Sequence, residues 1–141
     1  MKTIKVPGLS VPVALDAPIC LDSPHFSWAE ATKGGARIPE SEDITRNIIR
    51  IAKKLEEVRN IFDDRTITIT SWYRPPAINR RVGGATFSKH IEGHAVDIQI
   101  DGLDPRQVTR KLSESWNGGV GDSPAFTHLD LGDTRRWDYG G

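Results

Sequence analysis

The chain has 141 residues, enough for one compact domain that buries its own core without disulfide staples. Nineteen basic and nineteen acidic side chains cancel, so charge gives no reason to expect nucleic acid or a membrane as partner, and specificity must come from a local site. Cys20 is the only cysteine, which excludes an intrachain disulfide and a cysteine-built zinc finger and suits a reducing compartment.

Residues 1–24 hold four of the nine prolines, and Pro7, Pro12, Asp16 and Pro18 interrupt every apolar run. The expectation is an extended arm or edge strand that packs on its own domain or on a partner, followed by one domain over 25–141. No stretch has the length of a signal peptide or a membrane span, so synthesis in the cytoplasm without a signal peptide is expected. In "HFSWAEATKGGARIP", Ser27 and Glu30 have capping-box spacing and Gly34-Gly35 supplies a stop, which predicts one short helix with His25 in its cap.

"SEDITRNIIRIAKKLEEVRNIF", 41–62, is the clearest periodic element. Ile44, Ile48, Ile51, Leu55, Val58 and either Ile61 or Phe62 recur at helical spacing, and Ser41 caps the start. "TITIT", 66–70, and "AVDIQI", 95–100, read as strands, and a helix from about Pro105 to Trp116 follows Asp104. "GGVG", 118–121, and "FTHLDL", 126–131, supply the remaining strand material. The expected fold class is α+β, a small and mainly antiparallel sheet with flanking helices. Trp28 and Trp116 read as core, whereas Trp72 and Trp137 are candidates for lining a groove.

The stretch "SKHIEGHAVD", 88–97, concentrates donors. A catalytic zinc needs three nitrogen or oxygen ligands at ~2.0–2.2 Å and one open position. The turn at Gly93 can fold His90 back beside Asp97, and His128 on an alternating segment can supply the third donor by strand pairing. A carboxylate between Val96 and Ile98 is costly to bury unless something positive compensates it. His94 is an odd number of residues from Asp97, hence on the opposite strand face, and is expected to flank the cleft.

"ITSWYRPPAINRRVGGATFSKHIEGHAVDI" resembles the zinc D-alanyl-D-alanine carboxypeptidase family of murein peptidases, with its Ser-x-Tyr-Arg, Asn, Gly-Gly and Ser-x-His-x-x-Gly-x-Ala-x-Asp pattern. "GGVGDSPAFTHLDLGDTRRW" resembles the closing segment of the same family, and the likeness runs in order over about residues 25–137. The resemblance implies a hedgehog/D,D-peptidase-like fold and one zinc ion held by His90, Asp97 and His128. It also implies Arg74 as the group that receives a substrate carboxylate or carbonyl, with Ser71, Tyr73, Asn79 and Ser88 orienting the site. The implied activity is hydrolysis of amide bonds in peptidoglycan stem peptides or cross-links. Many relatives place an acid three residues before the last histidine, where this chain has Ala125. The candidates are therefore Asp130, on the strand face of His128, either as general base or as a group that only orients a ligand, and Asp122 as base, where the related hedgehog domain carries a glutamate.

The implied place of action is the cell wall, and the expected lack of a secretion signal is compatible with an endolysin, a phage or injection-particle component or a cytoplasmic recycling enzyme. A phage or injection-device carrier protein is the expected partner of the proline-rich arm, and deleting residues 1–22 is expected to spare hydrolysis. The alternative function is a zinc-stabilised, non-catalytic wall-binding or structural component.

Overall fold

A computed structural model of the protein describes residues 2–83 and 88–139. Gly84, the second glycine of the Gly-Gly motif, lies outside the described residues. The proline-rich N-terminus forms two small antiparallel hairpins, β1 (Thr3–Ile4) with β2 (Val13–Ala14) and β3 (Pro18–Cys20) with β4 (Ser23–Ser27). Ile4, Val6, Ile19 and Phe26 are buried in the main core, so this segment packs on its own chain. The expected boundary after residue 24 falls inside β4. His25 also lies on β4 rather than in a helix cap, its Nδ1 2.7 Å from a Glu56 carboxylate oxygen.

Helix α1 (Trp28–Thr32) starts at the reciprocal Ser27–Glu30 box and ends at left-handed Lys33. Helix α2 (Glu42–Ile61) buries Ile48, Ile51, Leu55 and Val58, and at its end Phe62 turns inward while Ile61 is 41 % exposed. Then come β5 (Ile67–Ser71), a short helix α3 (Pro76–Arg81) and β6 (Ala95–Ile100). Helix α4 (Pro105–Ser113) stops earlier than the expected end near Trp116. Arg136 takes over the carbonyls there, donating to Ser113 O at 3.2 Å and Trp116 O at 2.6 Å. Strands β7 (Gly119–Asp122), β8 (Thr127–Asp130) and β9 (Arg135–Asp138) complete the chain.

The main sheet has the order β5-β6-β8-β7-β9 and is antiparallel except for the β7–β9 pair. This is the α+β, mainly antiparallel arrangement expected. Register assigns the two faces, because directly paired residues share a face and neighbours along a strand do not. Val96, Leu129 and Val120 align in one row and are 0 %, 0 % and 1 % exposed. In the same face, Thr127 bonds Thr109 Oγ1 at 2.9 Å, which marks it as the face covered by α4. The alternate row runs Ser71, Asp97, His128, Gly121, Trp137 across all five strands. The next row on that second face is Ala95, Asp130, Gly119, Arg135.

Candidate metal centre

Local chemistry places His90. Gly93 has φ +81°, and a Cβ there would come within 2.9 Å of Ile44 of α2, so glycine is needed both for the turn and for its seat on the helix. Trp72 anchors the turn through Nε1 to Gly93 O at 3.2 Å, and Arg74 N donates to His90 O at 3.0 Å. Trp72 is 2 % exposed and spent on this packing, so it does not line a groove as expected.

His90 Nδ1–H donates to the Trp72 carbonyl at 2.6 Å, which turns the ring so that Nε2 lies 3.2 Å from Asp97 Oδ1. His128 approaches the same Asp97 oxygen with Nδ1 at 2.9 Å, while its Nε2 lies 2.7 Å from Asp130 Oδ2. One donor atom from each of His90, Asp97 and His128 falls within 4.8 Å of the others, and all three residues are buried. Burial alone would raise the Asp97 carboxyl, but hydrogen bonds from His128 and His90 outweigh it and hold the group well below the ordinary carboxylate range. Burial likewise opposes charge on His128, yet its bonds to Asp130 and Asp97 raise its pKa. Two imidazole nitrogens converge on one carboxylate, with each ring oriented by an acceptor on its far side; with those nitrogens deprotonated the three form a donor set that fits a divalent cation of the zinc type.

The cleft over this row has a volume of about 440 Å³, and Arg74, Ser88, Lys89, Arg135, Trp137 and Tyr139 line it with the three donors. Arg74 Nη2 donates to Ser88 Oγ at 3.4 Å, and Ser88 Oγ also accepts from His90 N at 3.2 Å. The Arg74 Nε is buried with no hydrogen-bond partner among the described residues. Desolvation lowers the Arg74 pKa and the Asp97 charge opposes that shift, leaving a cation with an unsatisfied donor beside the metal-type cluster.

The two expected bases are placed differently. Asp130 shares the face of His128 and is fully buried, but five donors converge on its two oxygens. Gly119 N, Gly132 N and Arg135 Nη1 donate to Oδ1 at 3.1, 2.9 and 3.1 Å, and His128 Nε2 and Arg135 Nη2 approach Oδ2 at 2.7 and 2.8 Å. Those bonds offset burial and hold its pKa well below the usual value, which suits an acceptor that orients His128 rather than a free base. Asp122 is not in the cleft. It pairs with Thr127 in register, faces α4 and bonds Arg106 at 2.8 Å. His94 also lies outside the lining, with Nε2 3.1 Å from Glu92 Oε2.

Arg135, Trp137 and Tyr139 were not assigned roles from sequence beyond a groove for Trp137. The available signal was the alternation Gly119-x-Gly121. A Cβ on Gly119 would sit 2.6 Å from Asp130 Oδ2 and 2.7 Å from Arg135 Nη1. A Cβ on Gly121 would sit 2.6 Å from Tyr139 and 2.8 Å from Trp137. The bare face of β7 is what lets the side chains of β8 and β9 lie across it.

A family model for peptidase M15 matches residues 20–130, a span that contains His90, Asp97, His128 and Asp130. The chain is 30 % identical over 123 residues to a zinc D-Ala-D-Ala carboxypeptidase of Streptomyces albus G, covering 80 % of this chain and 48 % of that protein. It is 40 % identical over 57 residues to the probable peptidoglycan L,D-endopeptidase MepK of Haemophilus influenzae, covering 39 % of this chain and 31 % of that protein. Against the peptidoglycan L,D-endopeptidase MepK of Escherichia coli K12 it is 30 % identical over 80 residues, covering 52 % of this chain and 44 % of that protein. The chain thus spans less than half the length of these curated relatives.

Proposed function

The chain belongs to the peptidase M15 family, and from that premise we propose that it is a zinc-dependent peptidase acting on amide bonds in the stem peptides or cross-links of bacterial peptidoglycan. The observation that carries this reading is the convergence of His90 Nε2, Asp97 and His128 Nδ1 in a cleft that also holds the Arg74 guanidinium. These three residues would hold one zinc ion, which when bound supplies an activated water and Lewis acidity toward a carbonyl.

The chain's own groups do the rest. Asp130, braced by Arg135, keeps His128 turned so that Nδ1 faces Asp97. Trp72 O does the same for Nε2 of His90. Arg74 receives a substrate carboxylate or the scissile carbonyl with its planar fork, which Ser88 holds toward the cleft. The names of the relatives point to peptides ending in D-alanine and to L,D bonds, and both substrates are murein peptides. The cell wall is then the place of action. Carriage by a phage or injection particle through residues 1–24 has weaker support, because Ile4, Val6 and Ile19 are used in the chain's own core.

A second reading, a zinc-stabilised wall-binding component without catalysis, is favoured by one feature. Among the described residues the cleft contains two carboxylates, Asp97 and Asp130, both already engaged. Incubating the protein with purified sacculi, with and without a chelator, separates the two readings. The hydrolase reading predicts new muropeptides by mass spectrometry, lost on chelation and restored by zinc. Binding to sacculi with every stem peptide intact would overturn it.

A further inference from the structure

Tyr139 follows β9, and its amide donates to Asp122 O at 2.8 Å, which carries the β7–β9 pairing one residue further. Its ring folds back over Gly121 into the cleft of the metal-type cluster. Trp137, Phe126 and His128 surround it, with ring centroids at 5.7, 5.4 and 6.3 Å. The side chain is 52 % exposed yet held on three sides.

The ring also carries a polar group. Tyr139 packs against Trp137 and lines the cleft together with Arg74 and Asp97. A phenol carries one O–H donor as well as acceptor lone pairs. The phenol thus brings a hydrogen-bond donor into the cleft that Asp97, His128 and Arg74 also line.

The chemistry of the cleft creates a use for such a donor. Asp130 is saturated by five donors, Asp122 faces α4, and Ala125 contributes no acid. With the carboxylates so engaged, more of the rate must come from fixed donors aimed at developing negative charge.

We propose that Tyr139 is a catalytic residue whose phenol O–H donates a hydrogen bond to the scissile carbonyl oxygen as that oxygen gains negative charge, across the cleft from Arg74. The proton stays on the phenol, and no bond to Tyr139 is made or broken. The proposal rests on the hydrolase reading above. Gly121 is part of the device, because any side chain there would push both Tyr139 and Trp137 off the strand.

Tyr139→Phe tests it by removing one oxygen and keeping the ring contacts. On soluble muropeptides, kcat is expected to fall on the order of 10- to 100-fold, with KM within about twofold. Zinc content, measured by elemental analysis on the same preparation, is expected to be unchanged. Gly121→Ala, checked for an unaltered circular dichroism spectrum, should show a kcat loss of the same kind through displacement of the ring. An unchanged kcat in Tyr139→Phe, or a loss confined to KM, overturns the proposal. A wild-type protein that releases no peptide from sacculi overturns the hydrolase reading itself, and this proposal with it.

Discussion

The two faces of the five-stranded sheet are built from alternate residues of the same strands and have opposite chemistry. Ile98 and Val96 point toward the helices and are fully buried, whereas Asp97 between them points into the cleft with His128 as its cross-strand partner. The same alternation separates Asp130, which reaches His128, from Asp122, which reaches Arg106 of α4. One face stabilises the fold by apolar burial. The other buries Asp97, His128 and Asp130, whose burial is offset by their pairing with one another and with Arg135. A side chain's role in this domain is thus decided by strand register more than by residue type.

The sharpest way to break this contrast is to substitute adjacent residues of β6. Asp97→Ala is expected to drop bound zinc from about one ion per chain to near zero and to reduce peptide release to background, read by elemental analysis and sacculus digestion. Ile98→Ala should instead cost about 2–5 kcal/mol of stability in urea unfolding and leave zinc binding intact. Loss of zinc binding in the folded Ile98→Ala protein would erase the distinction between the faces.

Truncation of residues 2–22 removes Ile4, Val6 and Ile19 from the core and is expected to lower stability on the order of 5 kcal/mol. An unchanged urea midpoint would return the segment to the status of a detachable arm.

A finer pair compares the two aspartates. Asp130→Asn should weaken zinc binding by roughly 10- to 100-fold, because His128 loses the acceptor that orients it, and Arg135→Gln should move affinity the same way by a smaller factor. Asp122→Asn should leave zinc affinity within about twofold. Competition with a chromophoric chelator measures all three, and a larger effect at Asp122 than at Asp130 would reverse the assignment.

The smallest expected effect is the pH profile of the zinc-free protein. Asp97 and Asp130 have carboxyls depressed by folding, so their contribution is complete above about pH 4 and lost as pH falls below it. His128 is raised by folding, so its contribution is complete below about pH 6.5 and lost as pH rises through its folded value. Urea midpoints should therefore be highest between those limits, and added zinc should abolish the alkaline decline because the ion replaces the proton.

Much of this organisation is legible in the residues. The stripe of α2 and its Ser41 cap follow from periodicity, and His90, Asp97 and His128 follow from the need for three donors to converge. What is not legible comes from pairings distant in sequence. Strand β9, "RRWD", shows no apolar alternation because three of its four side chains are exposed and its partner β7 is parallel. Missing that strand hides Arg135, and without Arg135 the sequence leaves Asp130 open between a base and a group that orients a ligand. Asp122 is six residues from His128, the spacing of a shared face, but the turn between β7 and β8 breaks the count and register sets it opposite Thr127. Helix α3 begins with a proline pair, which sequence patterns read equally well as a turn.

The measurement closest to the centre of the account is anomalous diffraction at the zinc edge from crystals grown with zinc. It should show one peak per chain, in contact with Nε2 of His90, a carboxylate oxygen of Asp97 and Nδ1 of His128, with Nε2 of His128 still on Asp130. A peak elsewhere, or no peak with the three side chains as they stand, would contradict the metal centre and the peptidase built on it.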